Sequence, residues 1–200
     1  MHQPQVNQVP EKKLIILDRD GVINYESKAY IKNPDEWIPI PQSLEAIALL
    51  KTQGYQVAIA SNQSGIGRGM FRLDDFEAMN AKMQSLLARH QAQIDAIFFC
   101  PHIDADHCHC RKPKPGLLEQ IAAHFEVDFK NQQVYFIGDS LRDIQAAHTA
   151  GCSPILVRTG NGQETFEALP KNNDGIHVHN GASIPIYDNL HSAVEALLSQ

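Results

Sequence analysis

The chain has 200 residues, of which 43% are hydrophobic and 20% are charged, and its net charge is −6. This length and composition fit one globular domain, residues 1–200, with room for a sizeable core. The negative charge argues against general nucleic-acid binding, and no apolar stretch is long enough to cross a bilayer. Residues 1–11 are polar and lack the apolar segment of a signal peptide, so we expect a loose leader and a cytoplasmic protein. We also expect a monomer.

The order of predicted elements alternates between strands and helices. Short apolar runs predict strands at residues 14–17, 55–60, 94–100, 133–137 and 154–157. Helical spacing of apolar residues predicts helices at residues 43–51, 74–90, 115–124, 141–150 and 189–198. We also expect an irregular excursion at residues 25–40 and a short strand at residues 176–179. This alternation predicts an α/β fold, a doubly wound parallel sheet with helices on both faces.

The first predicted strand ends in two carboxylates, Asp18 and Asp20, and in Gly21, which permits a sharp turn. Side chains at positions i and i+2 share a face of an extended segment, so both carboxylates could converge beyond the strand end. Close carboxylates repel each other unless a cation neutralises them, and Mg²⁺ is a suitable hard cation. Taken alone, two solvated aspartates in an ordinary turn explain the pattern equally well.

Polar groups also follow two other predicted strands. Ser61 and Asn62 open a glycine-rich loop that extends to Gly69, and Asp139 follows the fourth strand. A basic segment, residues 111–116, precedes the helix at residues 115–124. Carboxylates for Mg²⁺, a hydroxyl and backbone amides for an anion, and a lysine charge together suit phosphoryl transfer.

Four segments in this order resemble the motifs of the haloacid-dehalogenase phosphatase superfamily: DRDGVIN (18–24), SNQSG (61–65), CRKP (110–113) and GDS (138–140). The resemblance covers about residues 12–160. Within the superfamily, the motifs are most similar to those of the histidinol-phosphatase-like subfamily. That subfamily includes phosphatases of D-glycero-D-manno-heptose 1,7-bisphosphate and of histidinol phosphate. The resemblance implies a Rossmann-like haloacid-dehalogenase fold. The gaps between motifs are too short for a large cap domain.

The resemblance also implies roles for the motif residues. Asp18 is the expected nucleophile, and Asp20 is expected to protonate the leaving alkoxide and then to activate water. Mg²⁺ is expected on the Asp18 carboxylate, the Asp20 backbone carbonyl and Asp139. Ser61 and Lys112 are expected to hold the transferring oxygens. The implied substrate-binding residues are Ser61, Asn62, Gln63, Ser64, Arg111 and Lys112.

Three of the four cysteines lie between residues 100 and 110. Cys100, His102, Cys108 and Cys110 offer three thiolates and an imidazole, which suit a closed, tetrahedral, structural zinc site. The same ligand pattern belongs to the family that the motifs resemble. A cluster of reduced surface cysteines is the alternative. In the same loop, His107 and His109 are interpreted as bystanders or substitute ligands.

Three other residues each have two possible roles, and one further residue has only a structural role. Asp143 could support the metal or Lys112, or could be a first-turn carboxylate favoured by the helix dipole. Arg68 could reach a second phosphate and Lys114 a phosphate, or both could be solvated. Cys152 is interpreted as a small buried apolar residue.

The expected activity is that of a Mg²⁺-dependent phosphatase of a small sugar phosphate. The loop at residues 61–69 favours the 7-phosphate of heptose 1,7-bisphosphate, an intermediate toward lipopolysaccharide. The short gap between His102 and Cys108 favours the alternative, a histidinol-phosphate phosphatase. A third possibility is a zinc-stabilised phosphate-binding module without turnover, against which the intact Asp18, Asp20 and Lys112 argue.

Overall fold

The structure is a computed structural model that describes residues 13–172 and 178–199. The expected leader at residues 1–11 and the first two residues of the predicted strand 176–179 lie outside the described residues. None of the described helices combines the length and the apolar character that crossing a bilayer requires.

Six parallel strands form the central sheet. In chain order they are β1 (Leu14–Leu17), β2 (Gln56–Asn62), β3 (Ala96–Cys100), β4 (Tyr135–Gly138), β5 (Ser153–Val157) and β8 (Ile186–Tyr187). Their order in the sheet is β3-β2-β1-β4-β5-β8. The strands β6 (Val178–His179) and β7 (Ala182–Ser183) pair with each other in a separate antiparallel hairpin.

The described helices are α1 (Ser43–Thr52), α2 (Ser64–Gly67), α3 (Leu73–Arg89), α4 (Gly116–Phe125), α5 (Leu141–Ala150), α6 (Gly162–Ala168) and α7 (Leu190–Leu198). Two hydrophobic clusters cover opposite faces of the sheet because alternate residues of β1 point in opposite directions. Ile15 and Leu17 belong to the cluster that contains the apolar faces of α1, α3 and α7. Leu14 and Ile16 belong to the cluster that contains those of α4 and α5. The predicted doubly wound α/β fold is confirmed.

The strand order reverses direction between β1 and β4, which are neighbours in the sheet although β2 and β3 follow β1 in the chain. In such sheets a crevice opens beyond the carboxyl ends of the strands at the reversal. Asp18 directly follows β1 and Asp139 directly follows β4. The sheet topology therefore brings these two carboxylates together.

The predicted bounds agree with the structure to within about two residues, and five described elements were not predicted: α2, α6, β7, β8 and a 3₁₀ helix. The helices α2 and α6 begin in glycine-containing segments, which have low helix propensity. The 3₁₀ helix at Asp104–Asp106 lies inside the predicted cysteine loop. The second strand continues to Asn62, beyond its predicted end at residue 60, because its last residues pair with β3.

Candidate active site

A buried lysine lies between two buried carboxylates at the carboxyl end of the sheet. Lys112 Nζ lies 3.0 Å from Asp18 Oδ1 and 2.7 Å from Asp143 Oδ1, and it donates to the Ala60 carbonyl at 2.8 Å. Burial lowers the pKa of Lys112, but the charges of Asp143 and Asp18 outweigh it and raise the pKa. The lysine is therefore charged at neutral pH.

The backbone of Lys112 is held by the side chain of Asn62. Asn62 Nδ2 donates to the Lys112 carbonyl at 3.0 Å, and the Lys112 N–H donates to Asn62 Oδ1 at 3.0 Å. Asn62, predicted to bind substrate, lines the pocket, and its amide engages both backbone groups of Lys112. This contact ties the loop after β2 to the basic segment.

Asp139 is held in a close-fitting cradle. Its Oδ2 accepts from the Asn161 backbone N–H at 2.8 Å and from Asn161 Nδ2 at 3.1 Å. A Cβ atom at Gly21 or at Gly160 would lie 2.1 or 2.2 Å from the same oxygen, so neither position has room for a side chain. None of the described residues donates to Oδ1, and this oxygen can therefore bind a cation.

Asp18, Asp139 and Asp143 each offer an oxygen, and these atoms lie within 4.8 Å of one another. Burial raises the pKa of Asp18 to about 7, with Lys112 opposing and Asp143 adding to the shift. Burial, followed by the charges of Asp143 and Asp18, raises the pKa of Asp139 well above its usual range. Hard oxygen donors that repel each other fit Mg²⁺.

Asp143 has a second set of contacts that fixes its orientation. Its Oδ2 accepts from the Ser140 backbone N–H at 3.0 Å and from Ser140 Oγ at 2.5 Å. This capping box starts α5 directly after Asp139. Both interpretations of Asp143 therefore have support, since it caps the helix and pairs with Lys112.

Four donors from three side chains surround the Asp20 carboxylate. Arg19, which is buried, donates through Nε to Oδ1 at 3.2 Å and through Nη2 to both oxygens at 3.0 and 3.1 Å. Gln63 Nε2 donates to Asp20 Oδ2 at 2.7 Å and to Ser61 Oγ at 2.8 Å. Asn24 Nδ2 donates to Asp20 Oδ1 at 2.8 Å. Gln63, predicted as a substrate contact, thus also orients two expected catalytic groups.

A pocket of about 360 Å³ opens above these carboxylates. The loop after β1 contributes five residues to its wall, which fits the expected excursion over the strand ends: Glu26, Ser27, Lys28, Tyr30 and Ile31. Burial and the charge of Asp20 raise the pKa of Glu26. Ser61 and Ser64 also line the pocket. Its basic lining residues are Arg19, Lys28, Arg68, Arg111, Lys112 and Arg142.

The cysteine loop forms a compact four-ligand cluster. Cys110 Sγ lies 3.2 Å from Cys100 Sγ and 3.5 Å from Cys108 Sγ, and Cys100 Sγ lies 3.6 Å from Cys108 Sγ. His102 Nδ1 lies 3.3 Å from Cys110 Sγ and 3.5 Å from Cys100 Sγ. The cysteines are free, and an ion about 2.3 Å from each sulfur of a tetrahedron would separate sulfurs by roughly 3.8 Å. The cluster therefore fits Zn²⁺.

Two basic residues near the cysteine cluster make hydrogen bonds or ion pairs within the same region. Lys114 Nζ donates to the carbonyls of His107 and Cys108 at 2.9 and 2.7 Å, so it fastens the loop. His109 Nε2 pairs with Glu119 at 2.6 Å. Cys152, as expected, is buried in the hydrophobic cluster on the α4 and α5 face.

Sequence reasoning missed Arg19, Asn24 and Asn161 as parts of the site. Arg19 and Asn24 lie inside the first motif, so their position beside Asp20 was the available signal. Asn161 lies 22 residues after Asp139. The local sequence around it offers no such signal.

Comparison with known proteins agrees with this geometry. A family model described as HAD-hydrolase-like matches residues 109–180. D-glycero-beta-D-manno-heptose-1,7-bisphosphate 7-phosphatase from Pseudomonas aeruginosa is 46% identical over 188 residues, which is 94% of this chain and 98% of the relative. This chain belongs to that phosphatase family. Its membership confirms the predicted haloacid-dehalogenase superfamily and the predicted class of phosphoric monoester hydrolases.

Solved structures of the family are also similar. The D,D-heptose 1,7-bisphosphate phosphatase from B. bronchiseptica, crystallised with magnesium and phosphate, has 46% identity and a TM-score of 0.85. That match covers 94% of this chain and 98% of the other. The enzyme from Burkholderia thailandensis has 39% identity and a TM-score of 0.70, over 94% of this chain and all of the other.

Proposed function

We propose that this chain is a Mg²⁺-dependent phosphatase that removes the 7-phosphate of D-glycero-D-manno-heptose 1,7-bisphosphate, an intermediate toward lipopolysaccharide. The observation that carries the proposal is the buried pair of Lys112 and Asp18 beside Asp139, at the base of a pocket with a basic mouth. The activity named for the Pseudomonas aeruginosa relative supports the choice of substrate.

In the first step, a carboxylate oxygen of Asp18 attacks phosphorus and the bond to the sugar O7 breaks. Asp20 gives a proton to the leaving oxygen, so a neutral hydroxyl departs. The product on the protein is a phosphoaspartate at Asp18. Lys112 Nζ and Ser61 Oγ hold the oxygens of the transferring group as charge develops on them.

In the second step, Asp20 takes a proton from water, and the water oxygen attacks phosphorus. The acyl phosphate bond breaks, inorganic phosphate leaves, and Asp18 returns to its carboxylate form. Hydrogen bonds from Arg19, Gln63 and Asn24 fix the orientation of the Asp20 carboxylate, which accepts the proton in this step.

Two metal ions complete the proposal. Asp18, Asp139 and the Asp20 backbone carbonyl would hold Mg²⁺, which when bound offsets the repulsion between the anionic nucleophile and the anionic substrate. Cys100, His102, Cys108 and Cys110 would hold Zn²⁺ as a structural ion.

The proposed zinc site stabilises the loop that directly precedes Arg111 and Lys112. Through this loop the structural metal influences the position of two basic residues of the pocket. Ser64 and Arg111 are proposed to contact the substrate beyond the reacting phosphate, and Arg68, which lines the same pocket, is proposed to contact the distal phosphate.

The remaining parts of the proposal concern organisation and location. We treat residues 1–200 as one domain and the protein as a monomer in the cytoplasm. Three thiolate ligands require reduced cysteines, which a reducing compartment maintains.

The proposal is tested by measuring phosphate release with Mg²⁺ from heptose 1,7-bisphosphate and from histidinol phosphate. We expect kcat/KM to be larger for the bisphosphate by at least about 100-fold, since unpaired basic groups penalise a substrate that lacks the second phosphate. A preference for histidinol phosphate would assign the chain to that activity instead. Binding of the bisphosphate without release from either compound would favour a phosphate-binding module.

A further inference from the structure

The guanidinium of Arg111 is tied to the loop that carries the cysteine cluster. Arg111 Nε donates to Asp104 Oδ1 at 2.6 Å, and Nη1 donates to the His102 carbonyl at 3.4 Å. The Arg111 side chain is only 11% exposed although it lines the pocket. Within residues 13–172 and 178–199, no acceptor contacts Nη2, so this nitrogen remains available to a ligand.

Asp104 itself is fixed by the short turn that it begins. It is the first residue of the 3₁₀ helix Asp104–Asp106, and its carbonyl accepts from the His107 N–H at 3.2 Å. The Ile103 N–H donates to Asp106 Oδ2 at 2.8 Å, which closes the turn from the other side. Gly67 of α2 donates to the Pro101 carbonyl at 3.0 Å and leaves no room for a Cβ there.

The charges around Asp104 are mainly positive. Its carboxylate pairs with Arg111, and the guanidinium groups of Arg68 and Arg142 line the same pocket. The Asp104 side chain is 77% exposed, so its ion pair contributes little to the stability of the fold.

We propose that Asp104 is a positioning residue for substrate binding, which fixes the guanidinium of Arg111 so that its remaining N–H groups face the pocket. An arginine side chain has many rotamers, and ordering it in advance removes that entropic cost from the binding step. The inference rests on the proposed function only for the identity of the substrate group, a phosphate remote from the reacting one.

The positioning role and a simple charge effect predict opposite changes in KM when Asp104 is neutralised. Asp104 lies at the mouth of a pocket for an anionic substrate, so its charge alone weakens substrate binding. Neutralising Asp104 would then lower KM if charge were its whole effect. If Asp104 orders Arg111, the same substitution raises KM.

The kinetic test compares Asp104→Asn with Asp106→Asn, a control that removes the same charge from the same turn without touching Arg111. We expect Asp104→Asn to raise KM for heptose 1,7-bisphosphate about 3- to 10-fold with kcat within about twofold. Asp104→Glu should recover part of the loss, and Asp106→Asn should leave KM within about twofold. In an Arg111→Ala background, Asp104→Asn should raise KM no further. An unchanged or lower KM for Asp104→Asn, or the same increase without Arg111, would overturn the inference.

A measurement without substrate separates this inference from the proposed function. The ¹⁵N NMR signal of the Arg111 Nε–H group is assigned by its loss in Arg111→Ala. We expect a resolved, slowly exchanging signal in the wild type and in Asp106→Asn, and its loss in Asp104→Asn. Its persistence in Asp104→Asn would overturn the positioning role. A wild type that shows the expected signal but does not hydrolyse the bisphosphate would contradict the proposed function and leave the positioning role supported.

Discussion

The ammonium of Lys112 lies 3.0 Å from Oδ1 of Asp18, and both groups are buried. A carboxylate must be ionised to attack phosphorus, yet burial disfavours its charge. The lysine offsets part of that penalty. The same positive charge is available to the oxygens of the transferring phosphoryl group.

Removing the buried lysine should destabilise the fold. Lys112→Met leaves Asp18 and Asp143 without their shared counter-ion, and we expect the free energy of unfolding to fall by about 3–5 kcal/mol. Urea denaturation measures the change, and adding Asp143→Asn should recover part of it. Lys51→Met is the control, since Lys51 pairs with Asp95 at a partly exposed site and should cost about 1 kcal/mol. Equal losses for both lysines would contradict the account.

Replacing the proposed nucleophile, Asp18, should remove nearly all of the activity. Asp18→Asn should lower kcat at least about 10³-fold because an amide does not form the phosphoryl intermediate. Asp188→Asn, at an exposed side chain, should leave kcat unchanged. Retained turnover in Asp18→Asn would exclude Asp18 as the nucleophile.

The same substitution should change how stability depends on pH without Mg²⁺. Burial raises the pKa of Asp18 from 3.8 to about 7, so its ionised form destabilises the metal-free fold. The wild type should therefore lose stability as the pH rises from about 4 to about 7, while Asp18→Asn should lose less. Thermal unfolding in Mg²⁺-free buffers over this range measures the difference. Identical pH profiles would contradict the burial of this charge.

Magnesium affinity should fall as the pH is lowered below about 7. Because the pKa of Asp18 is about 7 without metal, ligation below that pH must displace a proton. We expect the affinity to fall up to about tenfold per pH unit below pH 7 and to level off above it. Calorimetry at pH 6 in two buffers of different ionisation enthalpy should detect release of at least about one proton per Mg²⁺, because the pKa of the second carboxylate ligand, Asp139, is also raised. Constant affinity between pH 6 and pH 8 would contradict the proposed ligand.

Asn161 should support magnesium binding without touching the metal. Both of its N–H groups hold Asp139 Oδ2, which leaves Oδ1 for the cation. Asn161→Ala keeps the backbone donor and removes the side-chain donor, so we expect Mg²⁺ affinity to fall about tenfold. Gln163→Ala should leave it unchanged, since the Gln163 side chain contacts Arg158 and Glu167 rather than Asp139. Calorimetric titration compares the two variants, and equal affinities would exclude this role.

The cysteine cluster should bind one zinc ion per chain. Cys108→Ser removes one of four ligands, and we expect loss of the metal in plasma mass spectrometry together with a lower melting temperature. Cys152→Ser is the matched control because Cys152 lies apart from the cluster, and it should retain the metal. Zinc-free wild-type protein from zinc-supplemented cultures would contradict the site.

The fold and the position of the carboxylates could be predicted because they follow from local pattern. Short apolar runs identified the strands, and Asp18 and Asp139 stand at their ends. The contacts that orient these groups could not be predicted from local pattern. Asn161 reaches Asp139 and Thr159 reaches the Gly21 carbonyl only after the sheet has formed. The contact of the Asn62 amide with the Lys112 backbone was not predicted either, because nothing local indicated that partner.

The proposed activity is tested most directly by following the reaction on heptose 1,7-bisphosphate with ³¹P NMR in the presence of Mg²⁺. The account predicts that the signal of the phosphate on C7 disappears as inorganic phosphate appears, while the signal of the phosphate on C1 persists. Loss of the C1 signal, or persistence of both signals with zinc and magnesium bound, would contradict it.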